Sequence, residues 1–333
     1  MRRLLLLASV LLAVFVCVPI ARAAAPVCGG RDLAAEMRSD AAAWARISAS
    51  AAGIPNGEAL LWRVTTAKGA VSHLFGTVHI SDARVNALSP PTEKALGEAR
   101  VVALEIADMS PANIGKAMAG LRSMLVYRNG ASLRNVLSAE EQVQAARAIE
   151  KIGMPAETLG VLRPWVVMMS LALSDCERAR TASGLASLDT RIEKRARAQG
   201  LRVTGLETVR DQISAMAAAP DGDQVTMLRA SLKLHARSDD VLETLVQRYL
   251  QRKLHLVMPI QEELWRQVDF PIAAFASFQE AVISKRNVRM RDAALPLIAE
   301  GGAFIAVGAL HLPGRDGLVA LLRKAGHTVE AVD

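Results

Sequence analysis

Apolar and polar positions change period several times along the 333-residue chain. β-forming residues dominate Ala59 to Thr66 and Val71 to Val78, and Ala67-Lys68-Gly69-Ala70 between them predicts a hairpin. Its second strand runs into Gly76-Thr77-Val78-His79. A helical pattern from Pro91 to Ala99 leads to an apolar strand, Val101 to Ile106, completing a β-β-α-β unit. From Met109 to Gln199 almost every stretch is helical in period, with Ser138 and Glu141 at capping-box spacing. Leu201 to Leu206 reads as a short strand ending at Gly205-Leu206-Glu207-Thr208, with Glu207 opening the next helix, and helical periodicity continues to about Glu300. After Gly301-Gly302, Ala303 to Val307 has buried-strand character and feeds Gly308-Ala309-Leu310-His311. A helix over Asp316 to Lys324, capped by Gly326, and a strand over His327 to Val332 make the chain end β-α-β.

This order predicts an α/β protein with a central mixed sheet flanked by helices, and a large helical insertion between the N-terminal and C-terminal β parts. The main domain is expected over residues 57–333, with helical lobes at about 109–199 and 208–300. Residues 24–56 are alanine-rich and predict a leader with one helix over Asp32 to Ala49, ended by Gly53 and Pro55. No short tandem repeat is present, although L-F-G-T-V-H and A-V-G-A-L-H both place Gly and then His at a strand end.

The N-terminus adds a location. Met1-Arg2-Arg3, an apolar run from Leu4 to Ile20 and then Ala21-Arg22-Ala23 follow the order of a cleaved secretory signal peptide, residues 1–23. The competing reading is a retained anchor, but the run falls short of the roughly 18 apolar residues that span a bilayer. A periplasmic or secreted protein with no stable membrane anchor is therefore expected. Cleavage removes Arg2, Arg3 and Arg22, taking the formal charge from +7 to +4. With two Tyr and no basic–aromatic alternation, nothing marks a nucleic-acid site. Cleavage also removes Cys17, leaving Cys28 and Cys176 as a candidate disulfide in an oxidising compartment, with two separate thiols as the alternative.

In open α/β sheets ligands bind beyond the carboxyl ends of strands, which is where His79, Glu105, Glu207 and His311 fall. A glycine three residues before each His is expected to let the backbone turn tightly and bring the imidazole to the strand tip. Two imidazoles and a carboxylate suffice for zinc or a similar divalent ion. His79, His311 and Glu105 are thus the metal-ligand candidates, and Glu105 and Glu207 the catalytic carboxylates. Each has a blander reading: a lone strand-end His is commonly a satisfied structural group, Glu105 can meet solvent, and Glu207 suits a helix first turn. His73 starts its strand and points from the opposite end, and His235, His255 and His327 read as surface groups. No G-x-S-x-G elbow, P-loop, G-x-G-x-x-G or H-E-x-x-H pattern occurs.

L-W-R-V at Leu61 to Val64, L-F-G-T-V-H at Leu74 to His79 and V-A-L-E-I at Val102 to Ile106 resemble the opening of TraB/GumN proteins. Arg163-Pro164-Trp165, Leu188-Asp189, Gly205-Leu206-Glu207-Thr208, Arg286-Asn287 and Val307 to Leu318 resemble that family's later landmarks in the same order. The resemblance covers roughly Ala59 to Val332. It implies a fold related to Tiki-type metalloproteases and the erythromycin-esterase and ChaN-like proteins, with His79, Glu105, Glu207 and His311 at a metal site. It also implies that Asp189 and Arg286 contact the substrate or support the ligands. Lys285 stands where an acidic residue is expected. The expected function is a secreted metal-dependent hydrolase, with a peptidase as the first subclass to consider, using zinc, manganese or cobalt; the alternative is a non-catalytic periplasmic binding protein for a peptide, a metal chelate or haem.

Overall fold

The computed structural model describes residues 26–108, 110–128 and 130–333; the expected signal peptide lies outside them. Six strands form one mixed sheet: β1 (Leu61–Thr65), β2 (Val71–Thr77), β3 (Val101–Leu104), β4 (Arg202–Gly205), β5 (Ala303–Gly308) and β6 (Thr328–Ala331), in the order β4-β3-β5-β2-β1-β6. β1 pairs antiparallel with both β2 and β6, whereas β2 with β5, β5 with β3 and β3 with β4 all run parallel. Every residue of β3 is buried, as are Ala303 to Val307 of β5, because helices cover both faces of a parallel sheet. The parallel run has a direct consequence for function. It brings the carboxyl ends of four strands to one edge of the sheet, in the spatial order β4, β3, β5, β2.

The helical stretches on either side of β4 pack against each other. Leu133, Ile149, Leu159 and Val167 share one apolar cluster with Leu228 and Leu232, and Leu121 and Trp165 share another with Ile213. Ser138 caps the Ala139–Glu150 helix through the expected capping box with Glu141. Downstream, the Ser238–Leu250 helix turns back to the sheet, where Tyr249 Oη donates to the Gly76 carbonyl at 2.8 Å.

The N-terminal segment differs from the expected leader in two ways. The single helix over Asp32 to Ala49 is two, Leu33–Arg38 and Ala41–Ala52, because Asp32 and Asp40 each cap a separate start with their carboxylates. The segment is also a packed strap rather than a tail. Leu33, Met37, Ile47 and Ala51 are buried against Leu256, Ile260 and Leu264. Polar ties add to this: Leu33 N–H donates to Thr244 Oγ1 at 2.8 Å, and Arg248, which is 1% exposed, bonds the Asp32 carboxylate at 2.6 Å. A Cys28–Cys176 disulfide, with Cα atoms 5.5 Å apart, fastens it to the Asp175–Ala182 helix.

Candidate metal centre

His79 follows β2, Glu105 follows β3, Glu207 follows β4 and His311 follows β5. Glu207 N–H donates to the Glu105 carbonyl at 2.9 Å, so the β3–β4 ladder extends past the strands and sets the two carboxylates side by side.

Each imidazole is held by its Nδ1. Asp189, in the first turn of the Leu188–Ala198 helix, takes His79 Nδ1–H on Oδ2 at 2.8 Å and Thr77 Oγ1–H on Oδ1 at 2.5 Å. An acceptor-only carboxylate keeps a proton on Nδ1, so Nε2 is the nitrogen that loses its proton and can face a cation. At His311 the partner is Asn287, whose Oδ1 lies 2.6 Å from Nδ1 while its Nδ2 donates to the Asp316 carbonyl at 2.8 Å. The second bond fixes the amide orientation and makes Nε2 the free nitrogen here too. Glu105 Oε1 stands between the rings, 3.9 Å from His79 Nε2 and 3.7 Å from His311 Nε2. It also accepts the Gly308 N–H at 2.6 Å.

The other Glu105 oxygen looks away. Oε2 accepts from Arg286 Nη2 at 2.7 Å and Gln212 Nε2 at 3.0 Å. Arg286 Nε reaches Glu207 Oε1 at 2.9 Å, its Nη2 bonds the same oxygen, and Gln212 Nε2 adds a bond at 3.2 Å. Glu207 therefore sits behind the guanidinium, a layer removed from the histidines. It precedes the next helix rather than opening it, since Thr208 is the cap of Val209–Ala217.

Burial alone would raise the Glu105 pKa, but His311, His79, Arg286 and the Gly308 N–H outweigh it and hold it at about 2. Burial, with Arg286 and His79, lowers His311 to about 4 against the pull of Glu105, so this ring is neutral near pH 7. Burial would lower His79 as well, yet Asp189, by charge and hydrogen bond, and Glu105 raise it to about 9. The ring is 61% exposed, so solvent tempers that pull.

Two imidazole nitrogens and one carboxylate oxygen form a suitable donor set for a borderline divalent ion. A Cβ built on Gly308 would lie 3.0 Å from Glu105 Oε1 and 3.5 Å from both His79 Nε2 and His311 Cδ2, inside the cradle. The two edges through Glu105 approach the roughly 3.4 Å ligand separation of a tetrahedron with bonds near 2.1 Å. The edge between the histidines is wider. Among the described residues, three potential ligand atoms all within 4.8 Å of one another occur only at Cys28, Cys176 and Asp239, where both thiols are spent in the disulfide. Closing the cradle on an ion therefore requires an imidazole to move, and the accessible His79 is the one with freedom to do so.

The glycines before the histidines act differently from the expected tight turn. Neither has a positive φ. A Cβ on Gly76 would come within 2.7 Å of Leu312 Cδ1 and 3.0 Å of Ala309 Cα, so this glycine permits close packing, and Gly308 keeps the cradle open.

The sequence match follows this arrangement. A profile of the TraB/PrgY/gumN family matches residues 60–331. The chain belongs to this family. The family region holds all four strand ends, Asp189, Arg286 and Asn287, and it starts after the disulfide-fastened strap. No curated protein matches the chain.

The remaining histidines lie elsewhere. His73 pairs with Arg63 and Phe304 at the far end of β2, with its pKa lowered by burial and Arg63. His235, His255 and His327 are half-buried rather than surface groups, and both His327 ring nitrogens are enclosed. Lys285 is exposed, one residue before the buried Arg286. Sequence reasoning missed Gln212, Thr77 and the supporting role of Asn287. Their one visible signal was proximity: Thr77 lies inside L-F-G-T-V-H, Asn287 follows Arg286, and Gln212 lies one helical turn past Thr208.

Proposed function

We propose that this protein is an exported metal-dependent hydrolase whose ion is held by His79 Nε2, His311 Nε2 and Glu105 Oε1. The observation that carries this reading is the convergence of both Nε2 atoms on one ionised carboxylate oxygen, beside a space into which a side chain at position 308 would project. A divalent cation supplies Lewis-acid polarisation of a carbonyl and a more acidic water. Around it, Asp189 and Asn287 fix the imidazole tautomers, as partners of metal-binding histidines commonly do. Arg286 and Gln212 hold Glu105 Oε2 and so aim Oε1 at the rings. Glu207 balances the buried Arg286 charge, which assigns it a supporting rather than a proton-transferring role. Peptides are the first substrate class to test. Export to the periplasm or beyond rests on the Arg-rich start, apolar run and Ala-Arg-Ala sequence, together with a disulfide suited to an oxidising compartment. No helix among the described residues is long and apolar enough to cross a membrane.

The test is chelation followed by reloading with zinc, manganese or cobalt in turn, with peptide-mixture cleavage read by mass spectrometry. Cleavage restored by one ion in the wild-type protein and absent from His79→Ala is the expected result. Cleavage persisting in chelated His79→Ala/His311→Ala protein would overturn it. Stoichiometric capture of a peptide, metal chelate or haem without turnover would instead make the protein a binding protein.

A further inference from the structure

The disulfide that fastens the strap has a carboxylate beside it with nothing to bond. Asp239, in the first turn of the Ser238–Leu250 helix, approaches Cys28 and Cys176 so closely that one ligand atom from each of the three lies within 4.8 Å of the others. Its Oδ1 is shut away from solvent and has no hydrogen-bond partner among the described residues. The helix N-terminus accounts for the negative charge. It does not account for an enclosed acceptor left idle against sulfur, because burying an unpaired polar atom is costly. A disulfide offers that oxygen neither a proton nor a charge. Two thiols offer a proton, and a cation between two thiolates offers a charge.

Contacts on both sides of Cys28 hold it near Cys176 independently of the bridge. Before it, the Pro26 carbonyl accepts from Arg180 Nε at 2.8 Å. After it, Gly30 packs so tightly that a Cβ there would run into the Asp239 carbonyl, and Arg31 N–H donates to Asp240 Oδ1 at 2.9 Å. Asp32 and Leu33 bond Arg248 and Thr244 on the same helix. Opening the bridge therefore leaves the two thiols and the carboxylate clustered. The cysteine Cα atoms are 5.5 Å apart. Tetrahedral zinc, with Zn–S about 2.3 Å and Zn–O about 2.0 Å, sets its sulfurs about 3.8 Å from each other and about 3.5 Å from the oxygen. Rotation of the two cysteine side chains covers that change. Val27 and Gly29 are exposed on either side of Cys28, which gives an ion a route in.

We propose that the reduced protein holds a zinc-class ion between Cys28 Sγ, Cys176 Sγ and Asp239 Oδ1, so that one joint carries either a disulfide or a metal. The exchange balances. A dithiol that closes to its own disulfide, or a phosphine that leaves as its oxide, supplies two electrons and two protons, and the S–S bond breaks to two thiols. Zinc binding then releases those two protons to solvent as both sulfurs become thiolates. Thiolate donors select zinc over magnesium or calcium, and the fourth position is left for water. The ion keeps the strap fastened when the bridge is open. None of its ligands belongs to the cradle of His79, His311 and Glu105, so the proposal stands whether or not the protein is a hydrolase.

The experiment uses the chain from Ala24 onward carrying His79→Ala/His311→Ala, which removes the other candidate metal site. The protein is reduced with a water-soluble phosphine, desalted without oxygen and titrated with zinc, and with cobalt for its spectrum, beside the untreated protein. The reduced protein should take up one equivalent of zinc and show cobalt–thiolate absorption in the near ultraviolet, and the untreated protein should do neither. Adding Cys28→Ser/Cys176→Ser should abolish uptake. Adding Asp239→Asn should weaken it at least about tenfold, the loss that removing even an outer partner of a ligand brings. Zinc should raise the melting temperature of the reduced protein, which binding to an unfolded chain would not do. An unchanged melting temperature of the oxidised Asp239→Asn protein keeps a folding defect from imitating the expected loss. Equal uptake before and after reduction, no uptake after it, uptake by the cysteine variant, undiminished affinity in Asp239→Asn, or a reduced protein already unfolded before zinc is added would overturn the proposal.

Discussion

Asn287 and Asp189 each take the Nδ1 of a histidine whose Nε2 faces Glu105, one through a neutral amide that is fully buried and one through a partly exposed carboxylate. Removing the amide leaves His311 Nδ1 without its partner in a dry site, so Asn287→Ala should weaken metal binding by about 10- to 100-fold. It should also cost about 1–3 kcal/mol of stability, with metal titration and urea unfolding as the two readouts. Gly308→Ala tests the cradle differently. It retains every polar group but places a methyl among the ligands, so metal uptake should fall steeply while the fold persists; unchanged uptake would show that the space is not the binding site. Proton competition adds a signature: with His79 raised to about 9, an incoming cation displaces its proton, and measured affinity should climb as pH rises from 6 to 8, approaching about tenfold per unit. Asp82 provides a stability counterpart away from the ligands. Its hydrogen bond to Arg84 and the pull of Arg180 outweigh burial and lower its pKa from the ordinary 3.8 to about 2. The folded state binds the proton more weakly than the unfolded chain, so this stabilisation is present above about pH 4 and is lost as pH falls through 2. Asp82→Asn should flatten the acid limb of the stability profile in that window.

The four parallel strands explain why residues as far apart as His79 and His311 meet: they share one edge because β2, β5, β3 and β4 point the same way. Those strand ends were legible in the sequence because an apolar run followed by Gly, His or Glu is a local pattern, and their common edge follows from α/β topology. The supports were less legible. Gln212 and Asn287 are neutral residues inside helices, where periodicity says only which face they share, and Asn287 belongs to a helix entered through a π-helical stretch at Glu280–Ser284 that shifts the phase. The packing of the N-terminal segment was less legible because alanine-rich helices have weak amphipathic patterns, and its docking surface comes from residues more than 200 positions later. This strap reaches the site through the Asp175–Ala182 helix. Arg180 Nε donates to the Pro26 carbonyl at 2.8 Å, and Glu177 Oε1, one residue from the disulfide, accepts the Ser81 N–H at 2.5 Å, two residues past His79. The bridge closes a sequence separation of 148. Cys28→Ser/Cys176→Ser should therefore lose about 4–5 kcal/mol on the chain-entropy estimate. It should also bind metal more weakly than a variant comparably destabilised in the distant helical cluster, such as Ile149→Ala; equal affinities would confine the bridge to stability.

At the scale of the whole molecule, the chain is a TraB/PrgY/gumN family domain over residues 60–331, preceded by a strap bolted to it by apolar packing, a half-buried ion pair and a disulfide. The helical stretches beyond β3 and β4 share two apolar clusters, and helices from both supply Asp189, Gln212, Arg286 and Asn287 to the strand ends where the candidate ligands gather. Arg286 bonds two buried carboxylates from different strand ends, so Arg286→Ala should be felt globally. It leaves the buried Glu105 and Glu207 carboxylates uncompensated, at a cost of about 3–5 kcal/mol in thermal or urea unfolding. The central claim is that His79, His311 and Glu105 hold a divalent ion. The metal content of the untagged chain from Ala24 onward, measured by elemental mass spectrometry beside His79→Ala/His311→Ala protein, addresses it directly. One equivalent of a divalent metal in the wild type and none in the variant is the result predicted; equal content in both, or negligible metal in a wild-type protein dialysed against zinc, manganese and cobalt, would contradict it.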